Sequence, residues 1–165
     1  MKKTMIAVAA TCALLAAPAM AQAQVYGTAG YSSVNVDDAG VKLGIVQGRV
    51  GYDINPNFAI EGELGFGVKD DNLAGADVEM KYQVGVFLVG KAAVSDKFEF
   101  LARAGYVSYE VEASAGAATA SETGNDFAFG LGAQAFITEK DGVRGEWTNY
   151  GGDANLWSIS YVRKF

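Results

Sequence analysis

Leu156-Trp157-Ser158-Ile159-Ser160-Tyr161-Val162-Arg163-Lys164-Phe165 closes the chain, and its reading decides the fold. Trp157, Ile159, Tyr161 and Phe165 share one parity; Ser158, Ser160 and Lys164 share the other. A period of two is the mark of a strand with one apolar and one polar face. A water-soluble sheet avoids ending on an exposed aromatic edge, whereas a closed barrel in lipid uses both the apolar face and the terminal aromatic.

Working back from this segment, alternation and turn punctuation predict eight strands, at residues 25–36, 41–54, 58–69, 77–94, 98–112, 126–138, 143–150 and 155–165. Compact turn chemistry follows the second, fourth and sixth: Asn55-Pro56-Asn57, Ser95-Asp96-Lys97 and Glu139-Lys140-Asp141-Gly142. The third and fifth are followed by longer segments, residues 70–76 and a low-complexity run at 113–125 rich in Ala, Ser, Thr and Gly. Asp37-Asp38-Ala39-Gly40 and Gly151-Gly152-Asp153-Ala154 complete that rim. Short turns at one end and longer loops at the other are the pattern of an outer-membrane barrel, with the turns and both termini in the periplasm.

The front of the chain has a different character. Lys2 and Lys3 precede an apolar run from Met5 to Leu15, then Ala17-Pro18-Ala19-Met20-Ala21-Gln22-Ala23. This reads as a cleavable signal peptide over residues 1–23, with cleavage after Ala21 as the other possibility; the barrel domain is then 24–165. The run is too short for a membrane-spanning helix, which needs about 20 residues. Cys12, the only cysteine, falls inside the leader, so the exported part has no disulfide and no thiolate metal site. Removing Lys2 and Lys3 shifts the formal charge from -6 to -8, which disfavours nucleic acid as a partner.

Alternation alone does not say which face is outside, because a soluble ligand-binding barrel and a membrane barrel share the period with opposite polarity. One face collects Phe58, Ile60, Leu64, Phe66, Phe98, Phe100, Tyr106, Phe127, Phe129, Leu131, Val143 and Trp147, together with the apolar set of the last strand. The other holds Glu61, Glu63, Glu99, Arg103, Gln134, Arg144 and Glu146 among many Gly and Ser residues. Aromatic side chains near strand ends suit an interfacial girdle. The expected fold is therefore all-β: an eight-stranded antiparallel up-and-down transmembrane β-barrel.

The Met1-Lys2-Lys3 leader, the opening Val25-Tyr26-Gly27-Thr28-Ala29-Gly30-Tyr31, the block Asn57-Phe58-Ala59-Ile60-Glu61-Gly62-Glu63 and the closing Tyr161-Val162-Arg163-Lys164-Phe165 resemble small proteobacterial outer-membrane proteins. The family is the opacity-type, OmpA/OmpX-like barrel often labelled porin family, and the resemblance spans the whole exported chain. It implies a location in the cell outer membrane, contact with outer-membrane lipid and lipopolysaccharide, and delivery by periplasmic chaperones to the barrel assembly machinery, with a monomer as product. Trp157, Ile159, Tyr161 and Phe165 would form the lipid face and assembly signal. Arg163 departs from the family's terminal signal, which more often has an aromatic or apolar residue there. The wall-anchoring role of two-domain relatives is not implied, since no such domain follows Phe165.

The chain has no histidine, and the barrel enzymes that resemble this fold depend on one, so no enzyme activity, cofactor or metal is expected. Glu61 and Glu63 could be read as a carboxylate pair for glycoside hydrolysis, but one strand of a narrow lumen gives a sugar no access. Counted from the short turns, Arg49, Glu61, Glu63, Arg103 and Glu146 fall in one interior layer, about 13 to 20 Å along the strands at roughly 3.3 Å per residue. With Arg144 they form the predicted interior charge cluster, a salt-bridged plug. The loop acids Asp37, Asp38, Asp70, Asp71, Asp77, Glu122 and Asp153 are solvated, or bridge through divalent cations to lipopolysaccharide phosphates. The leading functional reading is a barrel with a plugged lumen and a structural or surface-interaction role. A narrow porin or gated channel for small solutes is the alternative, and a soluble periplasmic ligand-binding barrel the third.

Overall fold

The computed structural model describes residues 25–36, 41–69, 71–73, 76–115, 118–152 and 154–165. The expected signal peptide and its cleavage point lie outside the described residues. So do Asp37, Asp38, Asp70 and Asp153, and the side chains of Asp71 and Asp77. Nine strands follow in chain order: β1 (Val25–Val36), β2 (Val41–Asn55), β3 (Phe58–Lys69), β4 (Asp71–Leu73), β5 (Ala76–Ser95), β6 (Phe98–Ala115), β7 (Ala118–Phe136), β8 (Asp141–Tyr150) and β9 (Ala154–Lys164).

Each strand pairs antiparallel with its neighbours; β3 also pairs with β5, and β1 pairs with β9, so the sheet closes. The three-residue β4 pairs with β5 and prolongs the line of β3, which leaves eight staves. The stagger can be followed residue by residue. Lys164 faces Tyr26, Tyr26 faces Gly51, Gly51 faces Glu61, Glu61 faces Phe87, Phe87 faces Gly105, Gly105 faces Ala128, Ala128 faces Tyr150, and Tyr150 faces Ala154. One circuit thus returns to β9 ten residues higher, a shear of ten for eight strands. With ordinary strand spacing this tilts the strands by about 40°. The ten-residue β8 then climbs about 25 Å, the height of the apolar band of an outer-membrane barrel.

The two faces sort as the parity requires. Ile60, Val86, Leu88, Leu131, Trp157 and Ile159 point outward, while Glu61, Glu63, Phe87, Arg103, Arg144 and Val162 are buried inside. Outward aromatics form two belts along the register: Tyr52, Phe58, Phe98, Phe100, Tyr161 and Phe165 near the short turns, and Tyr31, Tyr106, Phe127, Phe129, Trp147 and Trp157 near the opposite end. Edge-to-face pairs Phe98–Phe100, Tyr106–Phe127 and Phe129–Trp147, at 5.2, 5.6 and 5.9 Å, tie adjacent rings within these belts.

Three expectations fail, the first being the loop at 70–76, which contains β4 and the start of β5. The run at 113–125 is mostly strand rather than loop: β6 continues to Ala115 and β7 begins at Ala118, in unbroken register from Ala115↔Ala118 to Val107↔Asp126. Small residues with little apolar pattern read as loop, yet the ladder needs only backbone groups, and the alternation of β6 supplies a template. β7 also stops at Phe136, earlier than expected, because the Thr138 hydroxyl accepts from Lys140 N (3.2 Å) and Asp141 N (2.8 Å) and bends the chain there. At the other rim Gly151 and Gly152 have φ of +60° and +95°, a conformation that glycine alone adopts without strain, and they turn β8 into β9.

Candidate functional site: the barrel interior

The middle of the lumen holds three arginines and three glutamates, each buried, carried by β2, β3, β6 and β8. Arg49 Nε lies 2.6 Å from Glu63 Oε2, and its Nη1 reaches Glu146 Oε2. Arg103 Nη2 is 2.7 Å from Glu63 Oε2, and Arg144 Nη1 is 2.6 Å from Glu61 Oε1. Arg103 and Arg144 also stand 4.0 and 3.9 Å from Glu146 Oε1. The six charges balance, which such burial demands, since an unpaired ion in a confined interior is costly. All six residues of the predicted interior cluster are thus in one network, Arg144 joining it at Glu146 and Glu61 joining through Arg144.

Neutral groups complete the carboxylates, and sequence reasoning missed them. The Tyr26 hydroxyl donates to Glu61 Oε1 (2.7 Å); Tyr150 OH and Gln83 Nε2 donate to Glu63 Oε1 at 3.2 and 2.8 Å. Arg144 Nε donates to Gln134 Oε1 (2.9 Å), whose Nε2 donates to Glu99 Oε2 (2.7 Å). The Arg103 guanidinium lies 3.5 Å from the centre of the Phe87 ring, a cation–π contact that covers its open face. Room for these side chains comes from bare inward positions. A Cβ on Gly51 would lie 2.1 Å from the Tyr26 ring, and one on Gly132 would lie 2.5 Å from Glu146 Cγ.

Above and below this layer further side chains fill the lumen. Toward the short turns, Lys91 pairs with Asp53 and sits 4.3 Å over the Tyr26 ring, while Lys164 lies 3.6 Å from Glu99 and 3.9 Å over Phe136. Toward the opposite end, Val34, Leu43, Ile45, Met80, Val107 and Leu156 are all buried and form an apolar cap. Parity alone signals that these residues face inward; only the stagger reveals which of them meet.

The lipid-face residues of the last strand stand apart from this network. Trp157, Ile159, Tyr161 and Phe165 all point outward and are well exposed. Phe165 packs beside Gly27 of β1, where a Cβ would be 3.4 Å from its ring, and its N donates to Val25 O at 3.0 Å. Arg163, the departure from the family signal, donates to Asp141 Oδ1 (3.0 Å), which also accepts from the Tyr161 hydroxyl. Hydrogen bonds from Tyr161 and Thr138 hold the exposed Asp141 carboxyl below its ordinary range.

Comparison with known proteins bears on this architecture. The family described as Outer membrane protein beta-barrel domain matches residues 6–165. Among solved structures, Neisserial surface protein A superposes with a TM-score of 0.68 at 12% identity, covering 87% of this chain and 97% of that one. The N-terminal β-barrel domain of Pseudomonas aeruginosa OprF gives 0.68 at 11% identity, with 87% and 100% covered. Ail, the attachment invasion locus protein of Yersinia pestis, solved with the heparin analogue sucrose octasulfate, gives 0.60 at 15% identity, with 86% and 97% covered. At these identities the likeness establishes the fold. No curated protein matches the sequence.

Proposed function

The chain belongs to the outer membrane protein β-barrel domain family and lies in the outer membrane, and from that premise we propose that it works as a closed barrel, a structural and surface-interaction protein with neither pore nor catalytic activity. The observation that carries this reading is the tiered interior: a balanced charge layer, an apolar cap above it and lysine-centred clusters below. An eight-stranded barrel is only wide enough for its own side chains, so filling each tier leaves no water path for ions.

The part available to partners is then the outer rim. β7 pairs with β8 only as far as Ala128, opposite Tyr150, while β5, β6 and β7 continue beyond that level as an open sheet. This projecting sheet carries acids on both faces, Glu79, Glu110 and Glu112 on one and Glu122 and Asp126 on the other. Glu79 and Glu112 share Lys81 at 2.9 and 3.1 Å, and Glu110, Glu122 and Asp126 add to the charge. A sulfated polyanion of the kind bound by Ail suits it poorly. Cationic surfaces, or lipopolysaccharide phosphates bridged by divalent cations, suit it better. Assembly is read as recognition of Trp157, Ile159, Tyr161 and Phe165 by the barrel assembly machinery after chaperone delivery, giving a monomer in outer-membrane lipid.

Planar-bilayer recording tests the closed lumen. The unmodified protein should give little steady conductance. Large, sustained, ion-selective currents whose selectivity changes in Glu63→Gln would overturn the reading in favour of a narrow porin.

A further inference from the structure

On the lipid face, large and small residues are not evenly mixed. Ala133 on β7 and Gly145 on β8 face each other, and neither raises a side chain beyond Cβ. Phe100 on β6 stands beside Ala133 in the same rung, and the next rung away from the short turns runs Leu131, Trp147 and Trp157 across β7, β8 and β9. Phe100, Leu131 and Trp157 are each more than half exposed. The result is an apolar groove of about 750 Å³, floored by Ala133 and Gly145 and walled by Phe100, Leu131, Trp147 and Trp157. A Cβ on Gly145 would meet no atom within 4 Å, so the floor is open space. Both tryptophans of the chain lie on this one groove.

Size and charge select the occupant. The groove falls within the roughly 300–1,000 Å³ that small-molecule sites occupy. A second barrel would instead have to cover about 800 Å² on each partner, with roughly 20–30 residues a side. A convex lipid face lets acyl chains slide over it, whereas a trough with indole and phenyl walls forfeits dispersion contacts unless a chain lies in it. Arg163 supplies the charge. It stands four residues (163 minus 159) nearer the short turns than Ile159, the β9 partner of Gly145. That is about 13 Å along the strand, or about 10 Å of depth at the barrel tilt, which fits within one leaflet of the membrane. The Arg163 side chain is half exposed, and Asp141 and Tyr161 engage only its Nη1, leaving Nε and Nη2 for a phosphate. At the other end of the groove, the next outward pair on β8 and β9 is Asn149 and Asn155, which carries no charge.

We propose that this groove seats one acyl chain of a phospholipid from the leaflet at the short turns, its phosphate on Arg163 and its chain laid over Ala133 and Gly145 between Phe100 and the two tryptophans. This gives a use to the residue by which the last strand departs from the family signal. The site needs the membrane location of the barrel and is independent of whether the lumen conducts.

The two tryptophans are the reporters for the test. The folded, exported chain in detergent is titrated with phosphatidylglycerol brominated deep in its chains, because bromine quenches indole emission on contact. Emission should fall along a saturable curve that ends at one lipid per protein. Gly145→Leu fills the floor without a clash and should abolish the saturable phase; Ala133→Leu replaces it if the first variant loses its heat shift on detergent gels. Arg163→Gln should move the curve several-fold toward higher lipid and leave its plateau unchanged. Quenching that rises without saturation, and identically in Gly145→Leu, would mean ordinary lipid contact and overturn the proposal. An unmoved curve in Arg163→Gln would remove the phosphate contact from it. Displacement of the brominated lipid by lipopolysaccharide, with none by unlabelled phosphatidylglycerol, would overturn the choice of leaflet and of lipid.

Discussion

Below the level of Tyr150 the chain is a closed sheet, and above it β5, β6 and β7 run on as an open one. The same strands therefore pass through two regimes. In the closed part each residue faces either lipid or a crowded lumen, so parity assigns its environment and a polar residue inside must find a partner. In the open part β7 meets water on both faces, Thr119, Ala120, Ser121, Glu122, Thr123 and Asn125 being exposed irrespective of parity, while Met80 and Val107 at its base stay buried. The ladder continues there without the faces. What this teaches is that side-chain chemistry dictates the barrel body, whereas the extension stands on backbone pairing inherited from the strands beneath it.

The sharpest way to break that contrast is to remove one acid from each region. Glu63→Ala leaves Arg49 and Arg103 short of their shared carboxylate and should cost about 3 to 5 kcal/mol, read as a lowered urea midpoint of unfolding in lipid vesicles. Glu122→Ala in the open sheet should stay within about 0.5 kcal/mol of the unmodified protein. Comparable losses at the two sites would end the distinction between body and extension.

A second comparison stays within the body. Glu61→Leu and Arg144→Met should each be strongly destabilising, about 3 kcal/mol, because each strands a buried partner; together they should cost less than the sum, since no charge is then left alone. Strict additivity in the same urea titration would mean that the pair contributes nothing specific.

Deletion of Phe165 tests the seam where the body closes. The folded, heat-shifting fraction on detergent gels should fall several-fold while any protein that does fold keeps near-normal stability, because the ring stands largely exposed on the outward face beside Gly27. An unchanged yield would relieve the terminal aromatic of a role in assembly, leaving the apolar set Trp157, Ile159 and Tyr161 to carry it. Replacing residues 112–121 with Asn-Gly shortens the open sheet between the register partners Val111 and Glu122. The heat shift should persist with about 1 kcal/mol of change or less. Loss of the barrel would show that the extension is integral to the body.

The smallest effect is expected at Asp141, at the rim of the short turns. Its folded-state pKa is depressed, so its contribution is present above the ordinary carboxylate value and disappears as pH falls through the lower folded one. Stability of Asp141→Asn should therefore be slightly below that of the unmodified protein at neutral pH and equal to it in strong acid. A gap that widens on acidification would contradict the assignment.

Much of the body is legible in the sequence alone. The alternation through Phe58-Ala59-Ile60-Glu61-Gly62-Glu63 and Trp157-Ser158-Ile159-Ser160-Tyr161 sets the faces, and counting from the turns brings Arg49, Glu61, Glu63, Arg103 and Glu146 to similar heights. Tyr26, Gln83 and Tyr150 were not foreseen as carboxylate partners, nor Lys91 as the partner of Asp53. Those meetings depend on the ten-residue stagger, a property of the closed sheet that no single strand encodes. The upper part of β7 escaped for the opposite reason: its small residues carry no face pattern because no face is buried there.

The Glu61 contacts also bear on the order of events in time. Its hydrogen-bonding partners are Tyr26, on the first strand, and Arg144, on the strand before the last, so the carboxylate gains both only when the two ends of the chain are brought together. Any half-closed sheet has a glutamate in the lumen that lacks at least one of them. Pairing across almost the whole chain length is the slowest kind to form, so the closing step is the natural bottleneck. A charge satisfied only by that step acts as a checkpoint: it penalises arrested intermediates and makes closure an all-or-none event.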